Sequence, residues 1–502
     1  MGDMMYDNKI HTWFDVKKME VKYKIVLFGA GKRGRLTFIR QGNQLDFDCV
    51  IDNDPLKQER LLKDVWEDDS EFVTKEIIIR NFQWLLNNYN PSRTIVILAI
   101  KDGSAIESAL YKKHYENVFS SEELDKNTLE YFESNSITIP QNNHSVFIFM
   151  NDYGDHGKYI TNKLLEKSHN IDIIWGVEQC RKDAPPGVVQ VKISHPVELC
   201  NEFRDSKIII MDNALPYSCV QKPRGQLWIQ VKHWSSITLK KFYLDDCLFV
   251  KNENMVAAVK YTIDNTDFFF VGSKFDEDTC RKGFNFNGVY KHIGSPRSDG
   301  AFCNDNYIKI RKYYHIKDTD KIILYAPTFR HKKGTSYGID EQYIDIDFGA
   351  ICKELKGKYN ENYVFLLRLH PAVKQFVSKY EIDNNVINVS EYSDAEELVA
   401  AADILISDYS SVMFEAAFIK RPIFLYAPDL DEYLKNERQL LIDYNDLPFP
   451  VAKSNNELLN NIRSFSKNDY LKKLEEFLNS YGVNEDGHAS ERAAKFILDL
   501  MG

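Results

Sequence analysis

A chain of 502 residues is too long for one ordinary core, so two or three domains are expected. Hydrophobic residues make up 44% and charged residues 27%, a globular balance, and a formal charge of −10 argues against a generic nucleic-acid partner. Eight scattered cysteines without CxxC or metal-ligand spacing, no signal-peptide pattern, and apolar runs no longer than a strand point to a cytoplasmic protein with no bilayer-spanning segment.

Residues 1–20 have no clear pattern and read as a loose lead-in. Residues 23–28 (YKIVLF) predict a strand that runs into GAGKRG at 29–34 and a helix from 35 onward; residues 47–51 predict a second strand ending at Asp52. This is the strand, GxGxxG, helix, strand, acid order of a dinucleotide-binding unit. Gly29, Gly31 and Gly34 would allow a tight turn and close approach of a diphosphate, and Asp52 would reach a ribose hydroxyl. A strand at 94–100 and a helix near 104–113 complete a small α/β domain over residues 1–135. No second half-domain or catalytic partner follows it, so a dehydrogenase is not expected. A second nucleotide site there stands beside a purely structural or interaction role.

A polar gap at 133–144 precedes a second α/β series, with strands at 146–150, 171–175, 207–211 and 227–231. A third series follows at 268–271, 321–326, 363–369, 386–389, 404–406 and 423–426, and residues 455–500 read as outer helices. Strands alternating with helices imply parallel sheets. The expected fold class is α/β: a GT-B-like pair of Rossmann-like domains, 136–265 and 266–502, preceded by the small Rossmann-like domain.

Polar clusters fall at strand ends, where α/β sheets bind ligands. They are QVKHW with His233, GSPRSD with Arg297, APTFR with Thr328 and Arg330, LRLHP with His370, SDYSS with Ser407, Asp408, Ser410 and Ser411, and then Glu415 and Glu437-Arg438. Ser and Asp are good N-caps, so a helix is expected to begin within 408–411, its N–H groups and dipole joined by serine hydroxyls to receive a diphosphate. Singly, each cluster has a plain explanation: a capped turn, a hydrogen-bonded strand-end histidine, a solvated salt bridge. Together, two histidines, several arginines and a serine-rich helix start suit diphosphate binding with a proton transfer.

In these motifs the chain resembles the CDP-glycerol:poly(glycerophosphate) glycerophosphotransferases of teichoic acid and capsule synthesis. The resemblance runs from about residue 146 to the C-terminus and is strongest over 294–443. GSPRSD resembles the family's G-x-P-R-N-D, ILYAPTFR its I-L-Y-A-P-T-[WF]-R, LRLHP matches outright, and LISDYSSVMFE follows its I-T-D-Y-S-S-x-x-F-[DE] block. The family's W-H-G-T-P-L-K-K appears as KHWSSITLKK, which keeps His233 and Leu-Lys-Lys, puts Lys232 where the family has Trp, loses the glycine and adds two residues. Its E-R-G-F appears as ERQL, which keeps Arg438.

The resemblance implies polyol-phosphate transfer. A hydroxyl of a glycan or lipid-linked polymer attacks the β-phosphorus of CDP-glycerol or CDP-ribitol, and CMP leaves. It implies an acceptor-side domain at 136–265 and a CDP-donor domain at 266–502. His233 and His370 would be catalytic, His233 as general base. Arg297, Thr328, Arg330, Ser407, Asp408, Ser410, Ser411, Glu415 and Arg438 would bind the donor. No cofactor is expected beyond the CDP-polyol substrate, and beside these motifs a helix dipole and cations could take the place of a divalent metal. Peripheral contact with the inner membrane face is expected, with Lys240-Lys241 or Arg311-Lys312 meeting anionic headgroups. Two other readings remain at this stage: a GT-B glycosyltransferase using a nucleotide sugar, and a nucleotide-sensing scaffold that binds without transfer.

Overall fold

The computed structural model describes residues 10–41, 45–66, 73, 75–134, 142–150, 156–193, 196–214, 222–247, 249–251, 253–328, 330, 345–369, 385–436 and 439–501. The chain divides into two compact units, one of residues 1–140 with 191–204 and 219–224, the other of the remainder.

The first unit is built on a five-stranded sheet ordered β3-β2-β1-β4-β5, with β1 Lys24–Phe28, β2 Phe47–Ile51, β3 Ile79–Arg80, β4 Thr94–Leu98 and β5 Asn117–Ser120. All of its pairings are parallel. Both faces of β1 and β4 are apolar, as a sheet covered on both sides requires: Ile25, Leu27, Ile95 and Ile97 serve one core, and Val26, Phe28, Val96 and Leu98 the other. The glycine loop joins β1 to the helix Lys32–Gln41. Gly34 is there for packing, since a Cβ on it would overlap the carbonyl of Gly29.

The second unit holds two further sheets. The first contains β6 Asn142–Phe149, β7 Asp172–Val177, an edge strand β8 Val189–Lys192 of which only Val189 and Gln190 fall in this unit, β9 Ser206–Met211, β10 Leu227–Gln230, β11 Phe268–Val271 and β12 Val289–His292, in the order β12-β11-β10-β9-β6-β7-β8. The other contains β13 Asp320–Ala326, β14 Asn362–Leu367, β15 Val386–Asn388, β16 Ile404–Ser407, β17 Ile423–Tyr426 and β18 Val451–Ala452, in the order β15-β14-β13-β16-β17-β18, with every pairing parallel.

One sequence expectation is corrected here. Residues 268–271 were expected in the last series, but β11 pairs in parallel with β10, and β12 with β11. The earlier sheet therefore extends to His292, past the expected boundary at 265. A run such as FFFV identifies a buried strand, not the sheet it joins. The tail divides its packing as well. The helix Lys467–Ser480 puts Tyr470, Leu474 and Phe477 into the core around β13 and β16, whereas the helix Ala489–Met501 puts Ala493, Ala494 and Ile497 against β6, β7 and β9.

Candidate active site

Within the second unit a cleft of about 490 Å³ lies between the carboxyl ends of β10 on one side and of β13, β14 and β16 on the other. From β13 the chain steps outward to β14 and β15, then returns past β13 to add β16 on its other side, which makes this edge the place where the strand order reverses and a ligand can enter. His233 and Tyr243 line one wall, and Thr328, Arg368, Ser410 and Ser411 the other.

His233 follows β10 and is partly exposed. Its ring meets Trp234 edge-on at 4.8 Å and Tyr243 at 6.4 Å, while its carbonyl accepts from Arg297 Nη1 at 2.8 Å. Behind it, the wholly buried His156 opens the helix His156–Lys167. Nε2 of His156 lies 3.2 Å from the Trp234 carbonyl, and Nδ1 accepts the Arg297 N–H at 3.4 Å. Burial first, then the Arg297 and Lys232 charges, push its pKa well below the usual value, so it serves as a neutral clamp.

Arg297 is committed to carboxylates. Nε donates to Glu396 Oε1 at 2.7 Å, Nη2 reaches the same oxygen, and Glu415 Oε1 lies 3.6 Å from Nε. Burial raises the Glu415 carboxyl above the ordinary range against the pull of Arg297. The same edge carries a second ionic cluster, in which Lys158 Nζ lies 2.5 Å from Asp394 and 3.1 Å from Glu397, and Lys309 lies 2.6 Å from Glu397. These pairs join the helix starting at His156 to the helix Ala395–Ala401 across the edge of the cleft.

The SDYSS turn is organised from within. Asp408, 2% exposed, accepts the N–H groups of Thr328 at 2.8 Å and Tyr409 at 2.6 Å, and the guanidinium of Arg330 at 2.9 Å. Arg330 also donates to Asp429 at 2.7 Å and packs over Tyr409 and Tyr433 at 4.9 and 5.2 Å. Burial opposes its charge, but Asp408 and Asp429 outweigh that and hold its pKa above the usual value. Ser407 Oγ donates to the Ala326 carbonyl at 2.7 Å, clipping β16 to β13.

Arg330, Ser407 and Asp408 therefore build the turn and do not line the cleft; four N–H donors of Arg330 are already taken by protein oxygens. The helix starts at Val412, with Ser411 as a cap whose hydroxyl accepts no N–H of the helix, and its first N–H groups close on Ser410 and Ser411. Ser411 Oγ meets Thr238 Oγ1 at 3.1 Å across the cleft.

His370 and Glu437-Arg438 lie outside the described residues. Sequence reasoning passed over Arg368, two residues before His370, which lines the cleft, and Glu396, the partner of Arg297. Arg368 carried a signal, being in the exactly matching LRLHP run; Glu396 carried none. Lys240 and Lys241, expected to meet headgroups, line the cleft instead. Lys240 Nζ stands 5.4 Å from the Tyr433 ring, and the Lys241 N–H bonds the Gln439 carbonyl at 2.8 Å. Arg311, 5% exposed, donates to the carbonyls of Lys317 and Asp320, whereas its neighbour Lys312 is exposed. No described helix is long and apolar enough to cross a membrane.

In the first unit, Asp52 accepts the Ala30 N–H at 2.7 Å and the Asp54 N–H at 2.8 Å, so the carboxylate expected to hold a ribose is engaged by the glycine loop itself. Gly31 is the one loop glycine with open space before it. Among the described residues no group of three His, Cys, Asp or Glu side chains is arranged to hold a metal.

The profile of the CDP-Glycerol:Poly(glycerophosphate) glycerophosphotransferase family matches residues 131–499. The chain belongs to this family of transferases. It is 27% identical over 362 residues to a teichoic acid glycerol-phosphate transferase of Staphylococcus aureus, covering 69% of this chain and 90% of that protein. It is also 27% identical over 362 residues to a teichoic acid poly(glycerol phosphate) polymerase of Staphylococcus epidermidis, covering 70% of this chain but only 49% of the polymerase. The wall teichoic acid polymerase TagF has the same fold over 75% of this chain and 94% of that structure, at a TM-score of 0.63 and 23% identity. The glycerophosphotransferase match begins at residue 131, so residues 1–130, which carry the glycine loop, stand outside it.

Proposed function

We propose that this chain transfers glycerol phosphate from CDP-glycerol to a hydroxyl of a teichoic-acid-type polymer, releasing CMP. The observation that carries this reading is the cleft itself: a histidine on one wall faces an arginine and hydroxyls on the other, with two lysines beside it, in a chain of the glycerophosphotransferase family. The acceptor oxygen attacks the β-phosphorus, the bond from that phosphorus to the bridging oxygen breaks, CMP carries the bridging oxygen away, and a phosphodiester forms. His233 takes the hydroxyl proton, the general-base role that an imidazole can fill beside an alcohol nucleophile. Arg368, Lys240 and Lys241 offset charge on the diphosphate, and Thr328, Ser410 and Ser411 supply neutral donors. CDP-ribitol is the second donor to test. Peripheral contact with the inner membrane face, where a lipid-linked acceptor would sit, belongs to the same reading, as does turnover without a divalent metal.

The test is acceptor-dependent CMP release from CDP-glycerol and from CDP-ribitol, with product phosphodiester followed by phosphorus NMR. Release that needs acceptor and is lost in His233→Ala supports the reading. A glycosidic product from a nucleotide sugar, or binding of CDP-glycerol with no release under any acceptor, overturns it.

A further inference from the structure

The residue before His233 is a lysine buried to 1% exposure, with its backbone at φ +54°, a conformation that side chains other than glycine seldom adopt. Its N–H is taken by Gln230 Oε1 at 2.9 Å, and its Nζ lies 2.9 Å from Asp276 Oδ2 and 3.4 Å from the Phe270 carbonyl. Burying an ion pair costs several kcal/mol per ion, so a position needed only for packing would take an apolar side chain. The family motif has Trp there.

Asp276 is as buried as its partner and also accepts the Gly272 N–H at 3.0 Å. Three residues earlier, Ser273 Oγ donates to the Ser236 carbonyl at 2.7 Å while capping the helix Lys274–Phe284. Gly272 permits this approach, because a Cβ on it would overlap the Ser236 hydroxyl. The end of β11 and the first turn of its helix thus grip the chain at 232 and again at 236, on either side of His233. Cys280, Glu485, His156 and Glu415 are the other titratable groups that feel the Lys232 charge; Glu485 is half-buried and the other three are buried.

We propose that Lys232 and Asp276, with Ser273, are positioning residues that fix His233 in the cleft, taking over from the Trp and glycine missing in this chain's histidine motif. The inference rests on the reading of His233 as the base. It explains how a loop two residues longer than the family pattern still delivers a histidine to the cleft: the ion pair holds the left-handed backbone at 232 that turns the next residue outward.

The test compares His233→Ala, Lys232→Met/Asp276→Leu and Ser273→Ala in the full chain, by CMP release from CDP-glycerol and by thermal unfolding. The double variant removes both buried charges together, so its melting temperature is expected to stay near that of the unaltered chain. Its kcat is expected to fall about 10- to 100-fold, with KM for CDP-glycerol within about twofold and the acid limb of the kcat–pH profile displaced. Ser273→Ala is expected to lower kcat about threefold or more without changing KM, and it decides the matter if the double variant does not fold. A wild-type kcat and pH profile in the double variant, or in Ser273→Ala where the double variant is unfolded, overturns the positioning role while an inactive His233→Ala leaves the base assignment standing. An active His233→Ala overturns both.

Discussion

The guanidinium of Arg297 donates from Nη1 to the main-chain carbonyl of His233 at 2.8 Å. Because the same guanidinium binds Glu396 from the other side of the cleft, the backbone of the candidate base is referenced to the opposite wall. Arg297→Met leaves Glu396 and Glu415 buried without their cation and is expected to cost about 3–5 kcal/mol in a denaturant titration. Adding Glu396→Gln should recover part of that loss. Equal stability of the single and double variants would show that the ion pair does not couple the walls.

Arg330 and Arg368 separate structure from binding. Arg330 is held by Asp408, Asp429 and two tyrosine rings, so Arg330→Lys, which cannot fork, should lower stability by about 1–3 kcal/mol. The KM of the folded enzyme for CDP-glycerol should stay unchanged, and a large rise in KM at unchanged stability would return Arg330 to the donor site.

Arg368 lines the cleft. Arg368→Gln is expected to raise KM for CDP-glycerol about tenfold, the effect of losing about 1.4 kcal/mol of charge-assisted binding. Melting should move little. An unchanged KM would exclude Arg368 from the donor site.

Burial pushes the Glu485 carboxyl from its ordinary 4.5 up to about 8, against the Ser295 N–H that it accepts at 3.0 Å. Below pH 4.5 both folded and unfolded chains hold this proton, and the group costs nothing. Between 4.5 and 8 the unfolded chain releases the proton while the folded chain keeps it, so stability is drawn off as pH rises, levelling above 8. Glu485→Gln should therefore gain in melting temperature relative to the native residue as pH goes from 5 to 8, by about 2 °C or more. A constant difference across that range would refute the shifted proton.

Turnover without a divalent ion is checked by dialysis against EDTA. CMP release is expected to stay within about twofold, with the diphosphate charge carried by Arg and Lys side chains. Loss restored by Mg²⁺ would reverse that expectation.

Much of the architecture was legible because strand-length apolar runs alternate with helical spacing, and strand ends carry polar clusters. The sequence could not say which side of a strand end a residue faces. Ser407 and Ser410 lie in one five-residue run, yet Ser407 is clipped to Ala326 while Ser410 lines the cleft. Nor does periodicity report partners: Glu396 reads as an ordinary first-turn acid and is in fact bonded to Arg297, 99 residues away in sequence. Lys232 read as a defect in a motif, and its partner, Asp276, lies 44 positions on.

The helix Ala489–Met501 supplies core residues to a sheet whose first strand starts at Asn142. During synthesis, the half that is made earlier must wait for this segment, while the half around β13 already has all of its strands. Until then the apolar groove that will take Ala493, Ala494 and Ile497 stays open to solvent, beside Val146, Trp175 and Ile208. The order of completion is thus the reverse of the order of translation, and the unfinished half is where a chaperone would find its longest-lived target.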